Sequence, residues 1–295
     1  MQHASNGHAS ESHSGHTANG HAAKTFTVRV LRQDGPDEPS YWQRHTVERE
    51  SDMNVISVLQ RIAAHAMTAD GENVAPVAWD CNCLEEVCGA CTMLVNGRVR
   101  QACSALVDRL LAEKPDEIEL RPMTKFPVVR DLMVNRARLF QALKKVKAWI
   151  PVDGYYDAGR GPKQSPDEQQ VRYPLSECMS CGCCLEACPQ YQKIELEQKP
   201  GETPEALAER QRAANDAGFI GAHAISQAVL FNLHPTGRMN ATERIDALME
   251  PGGIQVCGNA QNCVAVCPKR IPLVDSIGRI GRAATVRSIR KWFGD

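Results

Sequence analysis

Cys178-Met-Ser-Cys181-Gly-Cys183-Cys184-Leu-Glu-Ala-Cys188-Pro189 contains the spacing C-x2-C-x2-C-x3-C-P, the pattern of a bacterial-type iron–sulfur motif. Three thiolates on one tight loop can each reach a different iron of a cuboidal cluster. The fourth, beside the proline, ligates the other cluster where two are present. The stretch therefore demands a partner elsewhere in the chain.

The partner is Cys257-Gly-Asn-Ala260-Gln-Asn-Cys263-Val-Ala-Val-Cys267-Pro268. Cys257 falls on Cys178, Cys263 on Cys184, Cys267 on Cys188 and Pro268 on Pro189. Ala260 stands where the repeat of Cys181 would be. With fourth ligands exchanged, Cys178, Cys181, Cys184 and Cys267 form a four-thiolate set for [4Fe–4S]. Cys188, Cys257 and Cys263 form a three-thiolate set. Alanine has no ligand atom, so [3Fe–4S] is expected there, with a four-iron cluster carrying water on its fourth iron as the alternative.

A third group lies upstream: Cys81-Asn-Cys83-Leu-Glu-Glu-Val-Cys88-Gly-Ala-Cys91, then Cys103. Cys83, Cys88, Cys91 and Cys103 give C-x4-C-x2-C…C, the plant-type [2Fe–2S] spacing. Asn96-Gly97 between extended runs signals a hairpin that returns Cys103 to the loop. Gly89 allows close backbone approach to a cluster. Cys81 and Cys183 are surplus: Cys81 sits too near Cys83 for both to ligate, and only Cys184 satisfies both flanking spacings.

Thirteen cysteines in 295 residues, odd in number and grouped, do not read as a disulfide framework. Zinc is the competing metal, because C-x2-C pairs also build four-cysteine zinc sites, in a structural or scaffold protein. Zinc gives no reason for a three-thiolate site or for the Cys-Pro endings. The net charge of −1 offers no electrostatic case for nucleic acid. No apolar run is long enough to span a membrane, and no secretory signal is expected at the N-terminus. No G-x-G-x-x-G follows a strand, and no catalytic residue is assigned.

The expected fold class is α+β: an N-terminal β-grasp [2Fe–2S] domain, then an all-α bacterial-type two-cluster domain. Residues 1–23, with five histidines, read as a disordered tail. Residues 24–123 form the first domain. Lys24–Leu31 and Trp42–Arg49 are expected as strands, Asn54–Met67 as a helix capped by Ser51 or Asp52, and Ile118–Leu120 as a further strand. Residues 124–295 form the second: a linker over Thr124–Asp131, a helix over Leu132–Trp149, irregular chain over Pro151–Tyr173, and helices over 203–217, 218–233 and 240–249. Ile271–Phe293 carries Arg279, Arg282, Arg287, Arg290 and Lys291, either a contact with anionic headgroups or an acidic partner, or a solvated face.

Residues 24–295 resemble the iron–sulfur subunit of the succinate dehydrogenase and fumarate reductase family (respiratory complex II). The likeness rests on Trp79–Cys91, Cys178–Pro189 and Gly253-Ile-Gln-Val-Cys257…Cys267-Pro268. It implies a relay from the FAD of a flavoprotein subunit through [2Fe–2S], [4Fe–4S] and [3Fe–4S] to a membrane quinone, or the same relay reversed as a quinol:fumarate reductase. The dicarboxylate chemistry would lie in the flavoprotein. The subunit would sit peripherally on the cytoplasmic face of the cell membrane, held by an anchor. Ubiquinone-linked members carry a Trp shortly after the Cys188-type cysteine and a His beside the Cys257-type cysteine. Here Tyr191-Gln-Lys193 and Gly258 stand instead, which resembles menaquinone-linked members with a haem b cytochrome anchor. Pro189 is the implied quinone contact.

Overall fold

The computed structural model describes residues 25–150 and 162–294. The His-rich tail and part of the Pro151–Tyr173 stretch lie outside them. β1 (Thr25–Arg32) buries Phe26, Val28 and Val30 on one face, as alternation predicts. β2 (Tyr41–Glu48) returns antiparallel, Thr25 opposite Glu48 and Arg32 opposite Tyr41. α1 (Val55–Ala64) places Val55, Ile56, Val58, Leu59 and Ile62 in the same core. Its cap is Asn54, whose side chain accepts from the Ser57 N–H at 3.0 Å, and not Ser51 or Asp52. Asp52 is at φ 62°, in a turn that precedes the helix.

β3 (Thr92–Val95) and β4 (Arg98–Gln101) form the expected hairpin. Asn96 and Gly97 have φ of 49° and 75°, as a type I′ turn requires. α2 (Val107–Glu113) follows, a second helix absent from the sequence reading. β5 (Glu117–Arg121) enters parallel to β1 and antiparallel to β3, giving the sheet order β2-β1-β5-β3-β4. This mixed sheet is a ferredoxin-type β-grasp.

β6 (Val128–Arg130) and β7 (Met133–Val134) make a small hairpin, so Leu132–Trp149 is not one helix. α3 (Ala137–Lys145) is shorter. The cause is Asp131, held in the left-handed region at φ 47°. Its carboxylate accepts from Arg32 Nε at 2.8 Å, Gln33 N at 3.1 Å and Ala78 N at 2.8 Å. Leu132 then donates to the Ala78 carbonyl and joins the first core.

α4 (Pro166–Ser176) occupies a stretch expected to be irregular. Ser165 and Glu168 form a capping box, and Pro166 takes the first turn, both strong helix starts. α5 (Cys183–Glu186), α6 (Pro204–Ala217), α7 (Gly221–Leu233), α8 (Ala241–Met249), α9 (Asn262–Ala265) and α10 (Leu273–Trp292) complete the helical half. α7 is central: Gly221–Ser226, Ala228 and Val229 are buried, and α3, α4, α5, α8 and α10 pack on it. On α10, Arg287 and the exposed Lys291 pair with Asp246 of α8, while Trp292 and, just past the helix, Phe293 are exposed.

The β3–β4 hairpin faces both halves. Met93 and Val95 enter the first core; Leu94 and Val99 enter the second with Met123 and Phe126. The linker is docked, not free. The Glu186 carboxylate accepts from Thr124 N, Thr124 Oγ1 and Lys125 N at 2.9, 2.6 and 3.0 Å. Lys125 Nζ donates to the Cys188 carbonyl. The linker is thereby held against the cysteine loop of the second half.

Candidate metal centres

The upstream loop wraps its backbone around sulfur. Glu85, Val87 and Cys88 N–H groups donate to Cys83 Sγ at 3.4, 3.3 and 3.3 Å, and Ala90 N–H donates to Cys88 Sγ at 3.4 Å. Leu84, Glu86 and Gly89 take positive φ to aim these groups inward. The Glu85 N–H, then the others, bring the Cys83 thiol down to about 7. Cys91 precedes β3 and Cys103 follows β4 in a short 3-10 turn. The Ala102 N–H donates to the Cys91 carbonyl at 3.1 Å. Burial, chiefly, pushes Cys103 up to about 11.

In the helical half, Cys178, Cys181, Cys184 and Cys267, with Cys183 beside them, border one void of about 20 Å³. Cys188, Cys257 and Cys263 border a second of about 20 Å³, with Ala260 on its wall. Cys267 thus reaches the first loop and Cys188 the second. Cys184 lies near enough to Cys263 for their charges to interact, so the voids are neighbours. Asn262 Nδ2 donates to the Ala187 carbonyl at 3.0 Å and ties the two loops together.

The repeat extends to the backbone. Ser180 and Gly182 have φ of 50° and 89°; their counterparts Asn259 and Gln261 have 52° and 62°. α5 and α9 occupy matching positions after them. Asn and Gln accept left-handed strain that glycine would avoid. The second loop therefore keeps the shape of the first while lacking its second thiol.

The donor set fits iron–sulfur clusters. Burial raises Cys178, Cys184 and Cys263 above the usual thiol value, so these groups ionise only with compensating positive charge. Bound metal supplies it, because a coordinating thiol is deprotonated outright. Among the described residues, no group of three His, Cys, Asp or Glu side chains converges as on a single ion. The thiols stand around voids instead.

Gly89 joins the first site to the second. A Cβ there would lie 2.7 Å from both Cα and Cβ of Cys181. The glycine is required between domains as well as within its loop. Arg136 donates to the Gly89 and Ala90 carbonyls at 2.6 Å each, fixing the contact. The sequence offered no signal for Arg136.

Of the surplus cysteines, Cys81 is exposed and Cys183 is buried. Pro189 is exposed and borders the second void with Gln190 and Gly258. A Cβ on Gly258 would lie 2.9 Å from Gln190 Nε2, so the Gln190 amide occupies the space a side chain there would need. Tyr191 is buried beneath the Arg138 guanidinium, 4.1 Å from its ring, and is absent from the void's lining.

These features define a two-domain iron–sulfur protein. Residues 27–141 match the 2Fe-2S iron-sulfur cluster binding domain family, and residues 174–271 match the 4Fe-4S dicluster domain family. The chain is 46% identical over 271 residues to the succinate dehydrogenase iron-sulfur subunit of Bacillus subtilis, covering 92% of this chain and 97% of that one. It is 26% identical over 263 residues to the fumarate reductase iron-sulfur subunit of Wolinella succinogenes, covering 88% and 97%. A chain of the Mycobacterium smegmatis Sdh1 complex in the apo form shares the fold, with a TM-score of 0.68 and 20% identity over 90% of this chain and 98% of that one. The chain belongs to the family of succinate dehydrogenase and fumarate reductase iron–sulfur subunits.

Proposed function

We propose that this chain is the electron-transfer subunit of a succinate:quinone oxidoreductase, joining the FAD of a flavoprotein subunit to a membrane quinone. The observation that carries the reading is the pair of adjacent voids with exchanged cysteines: Cys267 borders the void of Cys178, Cys181, Cys183 and Cys184, and Cys188 borders the void of Cys257 and Cys263. On this reading Cys83, Cys88, Cys91 and Cys103 hold [2Fe–2S]. Cys178, Cys181, Cys184 and Cys267 hold [4Fe–4S], and Cys188, Cys257 and Cys263 hold [3Fe–4S]. When bound, such clusters accept and release single electrons at potentials set by type, charge and hydrogen bonding. The residues supply the rest. Backbone N–H groups stabilise thiolate charge at the first loop, and Gly89 against Cys181 keeps the first two sites close.

Leu84 and Val87 are exposed on the upstream loop, an apolar rim suited to the flavoprotein. The exposed edge of the second void, with Pro189, Gln190 and Gly258, suits the quinone and a haem b cytochrome anchor. Gly258 in place of histidine favours menaquinone. Among the described residues no helix is long and apolar enough to cross a membrane, so an anchor subunit would hold the chain at the cytoplasmic face. The Bacillus relative's name favours succinate oxidation over fumarate reduction; comparing turnover with succinate and with reduced quinone measures the direction.

Electron paramagnetic resonance of the oxidised complex tests the ligand sets: a three-iron signal is expected. Its absence, or colourless protein holding stoichiometric zinc, overturns the reading. Ala260→Cys is expected to replace the three-iron signal with a second four-iron cluster, because the loop backbone already matches its cysteine-bearing counterpart. Persistence of the three-iron signal with full iron would show that the missing thiol does not set nuclearity. Cys81→Ser is expected to retain all iron, since Cys81 is exposed and surplus; loss of the [2Fe–2S] signal would make it a ligand.

A further inference from the structure

We propose that the outer face of α10 is a membrane-contact surface, on which Trp292 and Phe293 enter the interface of an anionic bilayer and Arg279, Arg282 and Arg290 meet its phosphate headgroups. The proposal rests on the reading that the chain works at a membrane. It gives the chain a lipid contact of its own beside the anchor subunit.

Helical spacing divides α10 into two faces. Leu273, Ser276, Ile280 and Ala284 are buried, and the row of Ala284 continues through Arg287 to Lys291, both tied to Asp246 of α8. This side packs on α7 and α8. The opposite side carries Arg279, Arg282, Val286, Ile289, Arg290 and, just past the helix, Phe293, all exposed. These positions recur every three or four residues and so share one face, with Trp292 at its edge. The outward face of a surface helix is ordinarily polar. Here Val286, Ile289, Trp292 and Phe293 are 42%, 53%, 86% and 83% exposed. Large apolar side chains gathered in one exposed patch mark an interaction site.

Charge identifies the occupant. Residues 276–294 hold Arg279, Arg282, Arg287, Arg290 and Lys291 and no acidic residue, in a chain whose net charge is −1. Asp246 takes up Arg287 and Lys291. Arg279, Arg282 and Arg290 are left without an ion-pair partner among the described residues. An acidic protein face would pair with these arginines yet gain nothing from the apolar side chains between them. A bilayer interface accepts both. The indole sits at headgroup level, and arginine stems lie along apolar surface while their charge stays in water. Ile277, near the start of the same helix, borders the second void, so α10 sets out from the site assigned to the quinone.

The test is flotation of the complex of this chain with its flavoprotein, released from the anchor. It is mixed with vesicles of phosphatidylglycerol and phosphatidylcholine, or of phosphatidylcholine alone, and iron is counted for each variant. Wild type is expected to float with the anionic vesicles, and less so at high salt. Arg282→Gln and Arg290→Gln are each expected to lower the partition coefficient about fivefold, equivalent to about 1 kcal/mol per basic residue. Trp292→Ser combined with Phe293→Ser is expected to lower it at least as much while the salt dependence remains. Arg109→Gln, at an exposed position of α2, is the control and is expected to bind as wild type does. Equal binding of wild type to the two kinds of vesicle, or equal losses in Arg282→Gln and Arg109→Gln, overturns the proposal. Unchanged vesicle binding in the double serine variant overturns it too, and loss of that variant's binding to lipid-free anchor subunit would then assign the face to a protein. A complex that purifies without anchor or quinone would overturn the membrane reading itself, a result separate from flotation.

Discussion

Cys267→Ala is expected to abolish the signal of the reduced four-iron cluster and leave the oxidised three-iron signal in place. Cys188→Ala is expected to do the opposite. Sequence proximity alone gives the reverse result, since Cys267 follows Cys263 and Cys188 follows Cys184. The structure sets Cys267 on the void of Cys178, Cys181 and Cys184, and Cys188 on that of Cys257 and Cys263. Cys267 Sγ also accepts from the Ile271 N–H at 3.4 Å, which fixes its rotamer toward that void. The effect is large because buried thiols have no water to replace a lost ligand. Burial already raises Cys184 well above the ordinary value, and the remaining three thiolates would hold an iron with an open position. Electron paramagnetic resonance of oxidised and dithionite-reduced complexes separates the two signals. If Cys267→Ala lost the three-iron signal and kept the other, the ligand sets would have to be redrawn without exchange.

The placement of Cys267 on the first void and Cys188 on the second agrees with the sequence expectation, because spacing is a local property and the repeat is an internal comparison. Asn96-Gly97 was legible for the same reason, as the turn chemistry lies in the two residues themselves. The Ser165-Pro166-Asp167-Glu168 start of α4 is equally local, but the polar Gly- and Pro-rich stretch around it masks the signal. Other features were not local. Leu132, Val134 and Leu139 read as one helical stripe, yet Leu132 belongs to the first core and Leu139 to the second. What separates them is a turn at Asp131, and that turn depends on Arg32, 99 residues away. Arg136, likewise, shows its purpose only against the Gly89 and Ala90 carbonyls. Cys183 looks idle in its own motif because Gln101, its amide partner, is 82 residues distant. Metal spacing is written in short motifs, whereas the contacts between domains are carried by pairs that the sequence keeps apart.

Asp131→Ala is expected to destabilise the first domain by about 3–5 kcal/mol, the range for removing one partner of a buried ion pair. The Arg32 and Asp131 side chains are 1% and 0% exposed. Without the carboxylate, Arg32 keeps only neutral acceptors: the Gln43 carboxamide oxygen and the Ala75 and Pro76 carbonyls. The guanidinium cannot shed its proton to escape burial, so the uncompensated charge remains. Two backbone donors, Gln33 N and Ala78 N, also lose their acceptor. Ala78 leads directly into Trp79 and the first cysteine loop, so the damage should appear there. Guanidinium unfolding of the complex, followed by bleaching of the [2Fe–2S] absorbance, is expected to show an earlier midpoint for that centre. The control is Asp108→Ala. Asp108 pairs with Arg49 at 2.6 Å, but their side chains are 48% and 39% exposed. Such surface pairs contribute about 0–1 kcal/mol, and its midpoint should barely move. Equal shifts in the two variants would show that burial does not set the strength of the Arg32–Asp131 pair.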